Sequence, residues 1–269
     1  MTRYFKVSVW AVLFGFAMFP CNVSAASITE TSAEIGQGCT ASGHNSTAMG
    51  IKANDRLVKS STTFKDREAV PEGLTKTEWG KIRAIIERDQ YRFHTGKRKN
   101  TYQGTNQAQH MSFTFTPEGL EVSLKKKNAP TNWALRLKSY GHGTKLRDAS
   151  AVEDFVVKEN RIEYHRGELV EWYINDHRGL EQGFTLQQKP SRSKTVIPLE
   201  LHLMSTSDFS PEVTKDRKGI KFKNEHGETE LLYRGLVAYD AAGKVLEASM
   251  ELDQGEIRLT IKDQEAVYP

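Results

Sequence analysis

The chain has 269 residues, with 38 Lys and Arg against 34 Asp and Glu, for a formal net charge of +4. So small an excess excludes a generic electrostatic nucleic-acid binder. Apolar residues at 38%, with 9% aromatics, supply a core and exclude wholesale disorder; the length permits one large or two small domains.

Residues 1–25 read as a removable leader. Arg3 and Lys6 form a basic start, Val7 to Phe19 is an uncharged apolar run, and Val23-Ser24-Ala25 offers the small residues a signal peptidase reads. The run is short for a membrane span, and no later stretch is long and apolar enough to cross a bilayer. The expectation is an exported chain, whether secreted, periplasmic or on the cell surface, with no transmembrane segment once the leader is removed. An uncleaved anchor is the alternative. Pro20 stands before Cys21 where a lipobox needs a small residue. Loss of the leader leaves Cys39 as a lone cysteine, so no internal disulfide can form. Cys39 lies in Gly36-Gln37-Gly38-Cys39-Thr40, with His44 in the same polar segment. It reads as an inert thiol, since a nucleophile needs a positioned base.

Residues 26–73 are rich in Ser and Thr and poor in large apolar side chains, which predicts a flexible linker. Residues 75–93 predict one amphipathic helix. Thr75-Lys76-Thr77-Glu78 has capping-box spacing, and Leu74 with Trp79 matches a hydrophobic staple. Trp79, Ile82, Ile85, Ile86 and Phe93 form one apolar stripe, expected to dock on the domain that follows. A partner-binding helix is the other reading. Residues 94–110 predict a polar loop. Its Lys97-Arg98-Lys99 is too small a basic cluster to serve as a nucleic-acid site.

From residue 111 the apolar period becomes two. Met111-Ser112-Phe113-Thr114-Phe115 alternates, turns at Pro117-Glu118-Gly119, and resumes over Leu120–Leu124, which is a hairpin pattern. Further short runs follow at 133–137, 161–164, 169–174, 183–186, 196–203, 220–222, 231–239, 246–250 and 257–261, with turn residues between them. The predicted fold is mainly β: antiparallel sandwich or sandwich-like sheets over 111–269, with one N-terminal amphipathic helix. The stretches 111–188 and 195–269 are similar in length and could be two β units.

Several segments resemble a known family. They are Arg161–Leu186, with its Glu171-Trp172-Tyr173 and Gly179-Leu180-Glu181-Gln182-Gly183-Phe184; the spaced Trp79, Ile82, Ile86 and Tyr91; the Phe115–Gly119 hairpin; Tyr233–Asp240; and Ala266–Pro269. Together they resemble the β-rich N-terminal region of bacterial secreted or surface proteins that continue into FG-GAP-type, integrin-like β-propeller repeats. The resemblance covers about 75–269 and implies a non-enzymatic module of a surface protein. This sequence contains none of the D-x-D-x-D calcium loops of those repeats, so neither a propeller nor its calcium binding carries over.

Catalytic signatures are sparse. His142, His165, His177, His202 and His226 are scattered singly, without metal-ligand spacing. No nucleophile elbow, phosphate loop or dinucleotide fingerprint occurs. No cofactor or metal is expected. Three acid–base candidates remain: Glu171, Asp176-His177 and Glu181. Glu171 and Glu181 could face each other across a hairpin cleft, with Trp172 and Tyr173 as a sugar-stacking platform. The first reading is therefore a secreted, non-enzymatic binding or adaptor module for an unidentified protein or surface glycan. A carbohydrate-binding or carbohydrate-active domain using Trp172, Tyr173, Glu171 and Glu181 is the alternative. The alternating run 257–261, followed by Gln264 to Pro269, suggests a free strand edge for weak self-association.

Overall fold

In the computed structural model, residues 4–13, 70–125, 131–150, 152, 154–190 and 197–269 are described. The expected cleavage position after residue 25, Cys39 and most of the 26–73 linker lie outside them. The strand near the amino terminus and the chain from Thr77 to Pro269 belong to one compact unit.

The elements follow the chain as β1 (Phe5–Leu13), α1 (Lys76–Asp89), β2 (His94–Thr95), β3 (Tyr102–Asn106), β4 (Met111–Thr116), β5 (Gly119–Leu124) and β6 (Thr131–His142). Next come β7 (Lys145–Asp148), β8 (Asp154–Lys158), β9 (Arg161–Arg166), β10 (Leu169–Asp176), β11 (Gly179–Leu186) and β12 (Leu199–Ser207). The last are β13 (Ser210–Val213), β14 (Gly219–Lys223), β15 (Thr229–Tyr239), β16 (Val245–Leu246), β17 (Ala248–Asp253) and β18 (Glu256–Ile261).

These strands build two nine-stranded antiparallel sheets. The first runs β13-β14-β15-β1-β11-β10-β9-β8, with β16 on β15; the second runs β17-β18-β12-β6-β5-β4-β3-β2, with β7 on β6. The mainly β, sandwich-like fold follows from period-two patterning. Along β9 and β18 every second residue is buried, and the apolar members of each strand face one shared core. Aromatic side chains join the layers. Phe115 meets Tyr173 at 5.1 Å between ring centroids, and Trp133 meets Phe222 at 5.4 Å. The hairpin expected at 117–119 is present: Thr116 pairs with Gly119, and the Thr116 hydroxyl accepts from the Glu118 and Gly119 amides.

Four expectations need revision. Residues 94–110 are not a polar loop ahead of the β domain: they carry β2 and β3, and β3 pairs with β4 through Tyr102 to Asn106, because its polar side chains alternate with buried positions at the sheet's end. The stretches 111–188 and 195–269 are not separate sandwiches, because each contributes strands to both sheets, and β12 pairs directly with β6. The helix ends at Asp89, and its stripe is not packed away: Ile82, Ile85 and Ile86 are 36%, 55% and 57% exposed. An apolar stripe shows that a face can be buried without specifying what buries it. The chain is anchored instead just after the helix, where buried Phe93 packs edge-on against Phe115 at 4.9 Å. Finally, 257–261 is no edge, since β18 lies between β12 and β17. Residues 264–269 form no strand. Tyr268 donates to Asp263 at 2.7 Å, and Val267 exchanges bonds with Ala241 and Asp240.

The leader-like start has a defined place. Strand β1 is interior to the first sheet, antiparallel to both β11 and β15. Phe5, Val7, Val9 and Ala11 point into the core and are fully or nearly fully buried. Burial of each larger side chain contributes about 1.5–3 kcal/mol. Between Ser8 and Trp10 the register on β15 jumps from Val237 to Arg234. Gly235, at φ +78°, takes up the extra residue of this bulge.

Candidate functional site

Four residues were expected to form one site: Glu171, Trp172, Tyr173 and Glu181. Successive side chains on a strand point to opposite faces, and β10 obeys that rule. Glu171 and Tyr173 point into the sandwich with Leu169. Trp172 points outward, alongside Gly183 and Glu181 of β11. The two carboxylates thus lie on opposite faces of one sheet and share no cleft.

On the inner face, Glu171 is only 1% exposed, and both its oxygens are engaged. Arg166 Nε donates to one at 3.1 Å; the Tyr173 hydroxyl and Gln182 Nε2 donate to the other at 2.6 and 2.9 Å. The Tyr233 hydroxyl continues the network, donating to Gln182 Oε1 at 2.7 Å. Since Gln182 is on β11 and Tyr233 on β15, this last bond passes over β1. Burial, followed by the neighbouring Glu171 charge, pushes the phenols of Tyr173 and Tyr233 well above their ordinary range, so they stay protonated donors. A carboxylate saturated this way, without solvent access, ties strands together and has no free oxygen for a substrate.

Sequence reasoning singled out Glu171 and Tyr173 but missed Arg166, Gln182 and Tyr233. The period-two pattern held the signal. Arg166 is in phase with Ile162 and Tyr164, and Gln182 with Leu180 and Phe184, so both belong to the apolar face.

On the outer face, Trp172 is 6% exposed. Its ring lies against Gly183, where an added Cβ would fall 2.0 Å from Cζ2, and the Arg161 guanidinium covers it at 4.5 Å. Trp172 Nε1 donates to the Thr185 hydroxyl at 3.1 Å. The indole therefore presents no open stacking face. Burial pushes the Glu181 carboxyl up, only partly offset by a hydrogen bond from Ser8 of β1 and the charge of Arg178. A raised carboxyl suits a general acid, but Glu171, the carboxylate expected to act with it, faces away; the nearby Asp176, paired at 2.7 Å with Arg178, adds to the upward push.

Two further polar clusters hold histidines. Buried His142 Nε2 lies 3.0 Å from Asp263 Oδ2, which also accepts from Tyr268, while Asp263 Oδ1 accepts from the Leu199 amide at 3.2 Å. Burial pushes the Asp263 carboxyl up, but bonds from His142 and Tyr268 and the charges of His142 and Lys189 outweigh it, leaving the group below its ordinary value. His202 sits between carboxylates, with Nε2 2.9 Å from Glu200 and Nδ1 against Glu256. His165 pairs with Glu163, and His226 is on a surface turn. No group of three or more His, Cys, Asp or Glu converges to hold a metal among the described residues. No described helix is long and apolar enough to cross a membrane.

No family model, curated protein or solved structure matches the chain.

Proposed function

We propose that the chain is an exported, non-enzymatic β-rich binding or adaptor module, related to the N-terminal region of surface propeller proteins. Export is supported by the leader pattern of residues 1–25, and the relationship by the Arg161–Leu186 and Tyr233–Asp240 segments. One observation favours this reading over a carbohydrate-active domain. Strand β10 turns Glu171 and Tyr173 into the core and Trp172 outward beside Glu181, so the acids cannot flank one glycosidic bond. The cover of Arg161 and Gly183 over Trp172 also removes the sugar platform, which favours a polypeptide partner over a glycan.

Two measurements test this. Mass spectrometry of protein from the envelope or medium should find an N-terminus near Ala26 or Ser27; an intact Met1 in that mature pool would overturn removal of the leader. Incubation with a polysaccharide panel should show no turnover. Turnover that Glu181→Gln abolishes without shifting the denaturant midpoint would establish an enzyme instead.

A further inference from the structure

One stretch of sequence has two incompatible roles. Residues 5–13 belong to the segment that reads as a removable leader, and they also form the strand that joins the two halves of the first sheet. Removing the leader opens a slot one strand wide between β11 and β15. Both walls would then present unpaired backbone N–H and C=O groups.

We infer that this slot is a strand-acceptor site, filled in the exported protein by an extended segment of another polypeptide. This deepens the binding-module reading and rests on removal of the leader. The seated strand defines what fits. Phe5 to Ala11 pairs antiparallel with Leu186 to Leu180, and Lys6 to Leu13 pairs antiparallel with Tyr239 to Leu231. At the first inward position the Phe5 ring stacks flat on Tyr268, with centroids 4.6 Å apart and planes 7° apart. Tyr268 is held there by Asp263, independently of β1. The second and third inward positions take Val7 and Val9, both fully buried. The fourth takes Ala11, paired with Leu180 and Tyr233 where the Tyr233 hydroxyl crosses to Gln182. A large side chain there would displace that phenol. On the outer face, Ser8 supplies a hydroxyl to Glu181. The fitting segment thus reads aromatic, aliphatic, aliphatic, small at alternate positions, with a hydroxyl or other donor between the first two aliphatic residues. Backbone pairing would supply affinity and these pockets specificity.

Neither rearrangement nor the chain's own remaining segments fill the slot as well. Strands β11 and β15 both run antiparallel to β1, so they are parallel to each other. Closing the gap would insert a parallel pair into a sheet whose pairings are all antiparallel. Within 26–73 no four successive alternate positions are all apolar. The tail 264–269 is held by Asp263, Asp240 and Ala241. A second copy would have lost the same strand.

The test uses the full chain with a specific protease site inserted after residue 25, folded first and then nicked, so the leader strand stays seated without a covalent link. Labelled peptides of the Tyr4–Leu13 sequence, of its scramble, and of the same segment carrying Val7→Asp with Val9→Asp are added in excess. Native mass spectrometry reads exchange, and hydrogen exchange reads protection of 180–186 and 231–239. The matched peptide should replace the leader strand one-to-one, and the aspartate peptide should bind about 100-fold or more weakly. Equal binding of matched and scrambled peptides would overturn the inference. So would a nicked chain that sheds its strand and protects both walls unaided. Exported protein that retains residues 5–13 would also overturn it. Exported protein beginning near Ala26 with both walls unprotected would overturn it while leaving the binding-module reading intact.

Discussion

The two sheets are assembled differently. In the second, β2 to β6 are consecutive in sequence, each pairing with the next, and every strand comes from the chain after Phe93. In the first, β8–β11 and β13–β16 are two local groups joined by β1, whose nearest pairing partner in sequence begins at Gly179. Local pairing closes short loops, whereas a strand recruited from the other end of the chain must offset a longer closure. The first sheet therefore has a seam closed by a strand from the far end of the chain, whereas the non-local joints of the second, β6 with β12 and β12 with β18, span shorter separations. On the core side the seam is bridged by Tyr233 and Gln182, and through Gln182 by Glu171 and Arg166.

The largest expected effect tests that bridge. Glu171→Gln leaves the Arg166 guanidinium buried without its counter-charge, and should cost about 3–5 kcal/mol. The shift of the denaturant midpoint measures the loss, and hydrogen exchange should place it at β9–β11 and β15 before the second sheet. Equal loosening of both sheets would dissolve the contrast.

Acid should act next. The Asp263 and Glu256 carboxyls both lie below their ordinary values of 3.8 and 4.5; in Glu256, burial is outweighed by bonds from Lys138 and His202. A depressed carboxyl contributes fully above its unfolded pKa and loses that contribution as pH falls through the folded one. Stability should thus hold near neutrality and decline below about pH 4.5. Asp263→Asn should flatten part of that decline, read by thermal melts across pH, and should loosen Tyr268 from Phe5. An unchanged acid slope would mean that the Asp263 carboxylate does not contribute to folded-state stability through His142 and Tyr268.

The smallest effect is expected away from both sheets. Ile85→Glu with Ile86→Glu, on the exposed helix face, should change stability by no more than about 0.5 kcal/mol. A larger loss in the denaturant midpoint would mean that the helix supports the sandwich after all.

Much of the fold was legible because β patterning is local. The Pro117-Glu118 turn and the alternation in 111–124 and 257–261 are written in neighbouring residues, and the structure has strands at each. The phase of that alternation also carried the inward direction of Glu171, once Leu169 and Tyr173 are counted with it. Treating Glu171, Trp172 and Tyr173 as a single platform overlooked that adjacent strand residues face opposite sides. Strand β1 was not legible as a strand. Phe5, Val7 and Val9 alternate with Lys6 and Ser8, but from Val9 the apolar run continues unbroken, without a period of its own, and the whole segment reads as a leader.

By itself, then, the sequence determined the β class, the short strands with their turns, and which residues of each strand share a face. These depend on side-chain alternation and turn chemistry within a few residues. Only the tertiary structure decided that both halves of the β region share one core. Only it decided that Arg161 and Gly183 cover Trp172, that β18 is interior, and that residues 5–13 complete the first sheet. Each of those outcomes depends on which strands pair across long stretches of chain. Pairing is settled by the joint burial of many side chains, a property that no local segment contains.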